Sequence, residues 1–112
     1  MYIKNIEQGK VFNIKTILNY EERKIASMTL VQRKDLGITL FAFDSEEGVG
    51  THASEGDAMV VVLEGTADVT IDGVITRVSE GEMIVLPANI PHAVKAITKY
   101  KMLLTVVKAE KE

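Results

Sequence analysis

The chain has 112 residues, 46% of them apolar and 26% charged, with a formal net charge of −3 and no cysteine. That is the composition of one globular domain. The acidic balance supplies no basic field for nucleic acid or anionic lipid, and the missing cysteines exclude disulfides, thiolate-bound metals and a thiol nucleophile.

Lys4 and Glu7 stand where a signal peptide would need its apolar core, and no apolar stretch nears the roughly 20 residues of a bilayer span. A cytoplasmic protein with no membrane partner is therefore expected, as a single domain over residues 1–112. The only helix signal lies in residues 13–19, where Asn13 could cap a short N-terminal helical turn. Residues 25–32 and 37–43 read as strands around a turn at 33–37. The acidic, glycine-rich segment 44–50 reads as a loop.

Residues 59–63, Met-Val-Val-Val-Leu, form a near-continuous apolar run, the pattern of a strand buried on both faces. After a turn at Glu64-Gly65, Ala67, Val69 and Ile71 alternate with Asp68, Thr70 and Asp72, the period of a half-buried strand. Asp72-Gly73 has the chemistry of a type I′ hairpin turn. Further strands are expected at 74–78, 83–86, 92–97 and 102–107, separated by turns at Ser79-Glu80-Gly81 and at Pro87, Asn89 and Pro91. Eight or more short strands with regular turn signals indicate an all-β sandwich or barrel.

His52 and His92 are the only histidines, and each sits at the edge of a strand. Their surroundings resemble the two motifs of the cupin superfamily. In the first motif, His52 and Gly65 fall in register. Ser54 stands where a second histidine is usual, Ala58 where a glutamate is usual, and Glu46 where the leading glycine is usual. In the second, Gly81, Pro87 and His92 fall in register, with Asn89 in place of a glycine and Ala96 in place of an asparagine. The resemblance covers about residues 36–107. It implies a double-stranded β-helix, or jelly-roll barrel, with a site at the barrel mouth around His52 and His92.

In the full pattern three imidazoles and a carboxylate surround a divalent metal. This chain keeps two of the imidazoles. A triad of two histidines and one carboxylate, the minimum for non-haem iron oxygenase chemistry, would need Asp57 or Glu55. In strict alternation Asp57 points away from the site, and a bulge after Gly56 could turn it inward. Asp44, Glu46, Glu47, Glu55 and Asp57 crowd this region. By alternation His52, Ser54, Ala58, Val60 and Val62 share the interior face. Ser54, Ala58 and Val60 would then line an enlarged, less charged ligand pocket. Phe41, Phe43, Met59, Met83 and Met102 are expected in the core or the pocket wall.

Two functions are implied. One is a cupin that binds a small molecule, anchored by His52 and His92, with little or no catalysis. The other is a cupin metalloenzyme of dioxygenase or isomerase type, using His52, His92 and a nearby carboxylate. The cofactor is accordingly either a divalent transition metal (zinc, nickel, iron or manganese) or none. Metal-free acid–base chemistry of the epimerase type fits less well, because Tyr2, Tyr20 and Tyr100 lie away from the motif strands. The expected partners are a small-molecule ligand and a second copy in a homodimer, with residues 2–11 covering a neighbour's edge strand.

Overall fold

The computed structural model describes residues 2–109, which hold nine β-strands and no helix. These are β1 (Ile25–Gln32), β2 (Leu36–Phe43), β3 (Gly48–His52), β4 (Asp57–Glu64), β5 (Thr66–Ile71), β6 (Val74–Ser79), β7 (Met83–Leu86), β8 (His92–Ala96) and β9 (Tyr100–Val107). They make two sheets, ordered β1-β2-β9-β4-β7 and β3-β8-β5-β6, and every pairing is antiparallel. The domain is the all-β, double-sheet jelly roll expected from the sequence.

Alternation sets which side chains enter the core. On β4, Ala58, Val60 and Val62 are buried, and on β5 Ala67 and Val69 join them. Burying a valine side chain fully contributes about 1.5–3 kcal/mol. Between those β5 residues Asp68 points outward, where its carboxylate accepts from Arg77 Nε at 2.9 Å. The β5–β6 hairpin closes through Asp72 (φ 49°) and Gly73 (φ 82°), both left-handed as a type I′ turn requires. Gly65 (φ 80°) is constrained further, since a β-carbon there would overlap the Lys99 carbonyl.

The five-stranded sheet is also apolar on its outward face. Strand register aligns Met28, Leu40, Leu103, Val61 and Met83 in one row, and Val31, Ile38, Thr105, Met59 and Val85 in the next. Leu40 and Val31 are buried at one end of these rows, while Met83 and Val85 remain 54% and 45% exposed at the other. The continuous apolar run in β4 therefore reflects two apolar faces, of which the outer is only half covered.

Two expectations are corrected. Residues 13–19 form no helix. Asn13 accepts from the Lys15 amide through Oδ1 at 3.0 Å and from the Thr16 amide through its carbonyl at 2.9 Å, which closes one turn. β-Branched Ile14, Thr16 and Ile17 give weak helix propensity, and tertiary contacts take over. The Lys101 ammonium donates to the Lys15 carbonyl, Lys15 pairs with Glu80 at 3.2 Å, and Tyr20 donates to Glu64 Oε1 at 2.5 Å.

The segment read as a loop at 44–50 runs into a strand instead, β3. Its two glycines hide it from propensity, and it exists by pairing with β8. A β-carbon on Gly48 would come within 2.8 Å of the Val94 carbonyl oxygen, so close approach to β8 requires glycine there. At the amino terminus, the Lys4 amide donates to Leu30 O and Asn5 Nδ2 donates to Thr29 O. Residues 4 and 5 thus cover the edge of this chain's own β1.

Candidate functional site: an apolar pocket closed by two imidazoles

His52 ends β3 and His92 begins β8, and the two are direct cross-strand partners. The strand register shifts between Val49 and His52, so the irregularity that could redirect a side chain lies in β3. No shift occurs at Asp57, which stays in register with Val107. Asn89, where the family pattern has glycine, adopts φ 63°, a conformation asparagine tolerates better than most residues. The bend it makes leads the chain through Pro91 into His92.

The imidazoles meet edge to face, with centroids 4.4 Å apart and planes at 73°. Their Nε2 atoms are separated by 3.2 Å. Each Nδ1 faces a backbone carbonyl two residues earlier, His52 to Gly50 at 2.9 Å and His92 to Ile90 at 3.2 Å. A carbonyl only accepts, so each of these contacts places a hydrogen on Nδ1, and the contact between the two Nε2 atoms is a hydrogen bond when one of them carries a hydrogen as well. His92 is 4% exposed. Burial first, and the neighbouring His52 ring second, lower its pKa below the ordinary 6.5.

A cavity of about 140 Å³ opens beside the pair. Its walls come from both sheets: Phe41, Phe43, Ala58, Val60, Leu86, Met102, Leu104 and Val106 from one, Val49 and Val94 from the other, with Ser54 at the β3–β4 connection. The structure therefore brings His52, His92, Ser54, Ala58 and Val60 together, and Phe41, Phe43 and Met102 form wall. Met59 and Met83 lie on the outward face instead. Val49, Leu86, Val94, Leu104 and Val106 were not singled out from sequence. Inward parity on their strands would have marked the last four.

Asp57 does not join the site. Its Oδ1 accepts from the Ala88 amide at 2.8 Å, and neither it nor exposed Glu55 lines the cavity. With no bulge at Gly56, alternation points Asp57 outward, so the two-histidine, one-carboxylate set is not assembled. No cluster of three or more His, Cys, Asp or Glu side chains able to hold a metal occurs among the described residues. The side chains present supply two adjacent imidazole nitrogens and one hydroxyl, Ser54 Oγ, which donates to Gly56 O at 2.9 Å.

The profile described as "Cupin domain" matches residues 39–108. A conserved protein of unknown function from Streptococcus pyogenes is 50% identical over 99% of this chain and 97% of its own, with a TM-score of 0.97. A cupin superfamily protein from Desulfitobacterium hafniense is 26% identical over 97% of this chain and all of its own, with a TM-score of 0.92. A Cupin 2 conserved barrel domain protein from Leptotrichia buccalis is 45% identical (TM-score 0.84) over 87% of this chain and 47% of its own. No functionally curated protein matches.

Proposed function

Because the chain belongs to the cupin domain family, we propose that it is a small-molecule-binding cupin whose ligand sits in the barrel pocket against His52 and His92. One observation carries this: an apolar cavity of about 140 Å³ closes on two imidazoles, and among the described residues no carboxylate lines it. Concave, mostly apolar space with a few convergent polar atoms is the usual make-up of a small-molecule site. A cavity on the order of 150 Å³ with aliphatic and aromatic walls admits benzene, which sets the scale of the buried part of the ligand. Thermal-shift screening of small organic compounds against untagged protein tests the proposal. Hits should lose their effect in Ala58→Leu, which fills the cavity. Hits that survive that change would move the ligand elsewhere.

The Nε2–Nε2 distance favours a second reading, a metal-dependent cupin. Two imidazoles on adjacent positions of a zinc-like ion, at about 2.0–2.1 Å each, bring their nitrogens about 3 Å apart, close to the 3.2 Å found here. The set fits two positions only, so ligand or water would have to supply the others. When bound, such an ion would act as a Lewis acid. The chain's own part would be to orient the rings through Gly50 and Ile90.

A homodimer belongs to the same proposal, through a surface other than residues 2–11. The outward rows that end at Met83 and Val85 offer a second copy an apolar face without a charged side chain in either row.

A further inference from the structure

A second cavity, of about 270 Å³, adjoins the pocket, and Ser54 and Val106 line both. Strand register makes their floor continuous. Phe41 belongs to the inner cavity, while Thr39 and Gly37, next on the same face of β2, belong to the outer. On β9 Leu104 and Val106 stand opposite Thr39 and Gly37. From Phe41 to Gly37 the floor runs roughly 13 Å at the usual strand rise. Gly37 is not left-handed, and a β-carbon there would meet nothing within 4 Å. Neither turn geometry nor a close backbone requires this glycine, so it leaves open space along the strand, as at sites where a ligand lies against backbone.

The outer cavity is cationic at its mouth, where Arg33 and Lys108 line it. The β1–β2 turn anchors both residues: the Arg33 amide donates to Leu36 O at 2.8 Å, and the Lys108 amide donates to Asp35 O at 2.9 Å. A β-carbon on Gly56 would fall 2.8 Å from Lys108 Cγ, so the lysine stem lies over the connection that carries Ser54. Asp35 sits 3.3 Å from Arg33 Nε and accepts from Nη2 at 3.4 Å. The other N–H donors of the five-donor guanidinium stay available. Among the described residues no carboxylate lines the outer cavity.

From this juxtaposition we infer that the ligand is an elongated organic acid, with its apolar body in the inner cavity and its carboxylate between Arg33 and Lys108 in the outer one. The inference rests on the small-molecule reading above and names the ligand class within it. The body passes Ser54 and lies over Thr39 and Gly37, the one segment of floor without a side chain in its path. At the mouth the carboxylate stays partly in water and takes charge-assisted hydrogen bonds from two cations, so it is not stripped of partners. An acid too short to span the floor gains only one of these two parts.

Isothermal titration at low ionic strength tests this with phenylhexanoate, phenylhexanol and phenol, the phenyl ring of the first two at the chain end. Untagged, chelator-treated protein keeps the carboxylate from being drawn to an adventitious ion at the histidines. Phenylhexanoate should bind about fivefold or more tightly than phenylhexanol, the scale of two partly solvated ion pairs. The double variant Arg33→Gln/Lys108→Gln should lower the acid to the level of the alcohol. Gly37→Val, which fills the open floor, should weaken both long ligands. An acid that binds no tighter than the alcohol overturns the inference, as does a margin that survives the double variant or long ligands indifferent to Gly37→Val. If phenol alone binds, the inference falls and the small-molecule reading stands. If none of the three binds, both fall together.

Discussion

His52 and His92 are cross-strand partners whose Nε2 atoms approach to 3.2 Å while each Nδ1 is anchored to a carbonyl two residues back in its own chain. Ring orientation is thus set by backbone on both sides, with no carboxylate intermediary. Two residues forty positions apart become a single two-nitrogen unit because β3 and β8 pair where they do.

Acid should weaken the fold through His92. Its pKa in the folded chain lies below the ordinary 6.5, so the unfolded chain binds the proton first as pH falls. The stabilisation from keeping the ring neutral is complete well above 6.5 and is lost as pH drops from 6.5 through the folded value. Denaturation midpoints should decline over that window, and His92→Leu should flatten the decline. An unchanged slope in the variant would assign the acid sensitivity to other groups.

Changing Asp57→Ala should cost about 1 kcal/mol, the scale of one hydrogen bond, here the one received from the Ala88 amide. Ligand and metal affinity should stay as in the parent, because the carboxylate faces away from the cavity. Isothermal titration of both proteins checks this, and loss of metal binding would place Asp57 in the coordination sphere after all.

Metal affinity should be modest. Two imidazoles without a third side chain predict substoichiometric metal in untagged protein purified without added salts. Whatever zinc the protein takes up from added salt should be lost in His52→Ala. Elemental mass spectrometry giving one tightly held ion per chain would favour the metal-dependent reading.

Light scattering should return about twice the 12.3 kDa chain mass. Val85→Lys places a charge on the exposed end of the outward face and should return the monomer with the barrel intact. A parent protein already monomeric at tens of micromolar would leave that face without a second copy.

Gly65→Ala should destabilise the barrel by about 2–3 kcal/mol, since the residue is left-handed and its α-carbon faces the Lys99 carbonyl. The same change at Gly81, also left-handed but open on its side-chain face, should cost less. Chemical denaturation of the pair separates strain from collision.

Most of the barrel was legible because its strands carry their own pattern. Residues 67–71 alternate cleanly, and Asp72-Gly73 specifies its turn by chemistry alone. β3 was not legible, since Gly48 and Gly50 have no strand preference and the strand is held by β8. The apparent helical turn at 13–19 failed for the mirror reason: local signals were present, but Lys101 on β9 and Glu80 in the β6–β7 turn claim that segment. At the pocket, motif spacing marked His52 and His92. The orientation of Asp57 depended on where the register slips, and a slip in β3 leaves no trace in residues 55–58.

The two imidazoles rest on supports of unequal firmness. His92 is buried in β8, which has neighbours on both sides, whereas His52 closes β3, a sheet edge with all five residues exposed and a broken register. Edge segments of this kind open locally at far lower free energy than the core. Occupancy of the pocket should therefore register first as slower amide exchange along β3, which makes that strand the natural place to watch a ligand arrive and depart.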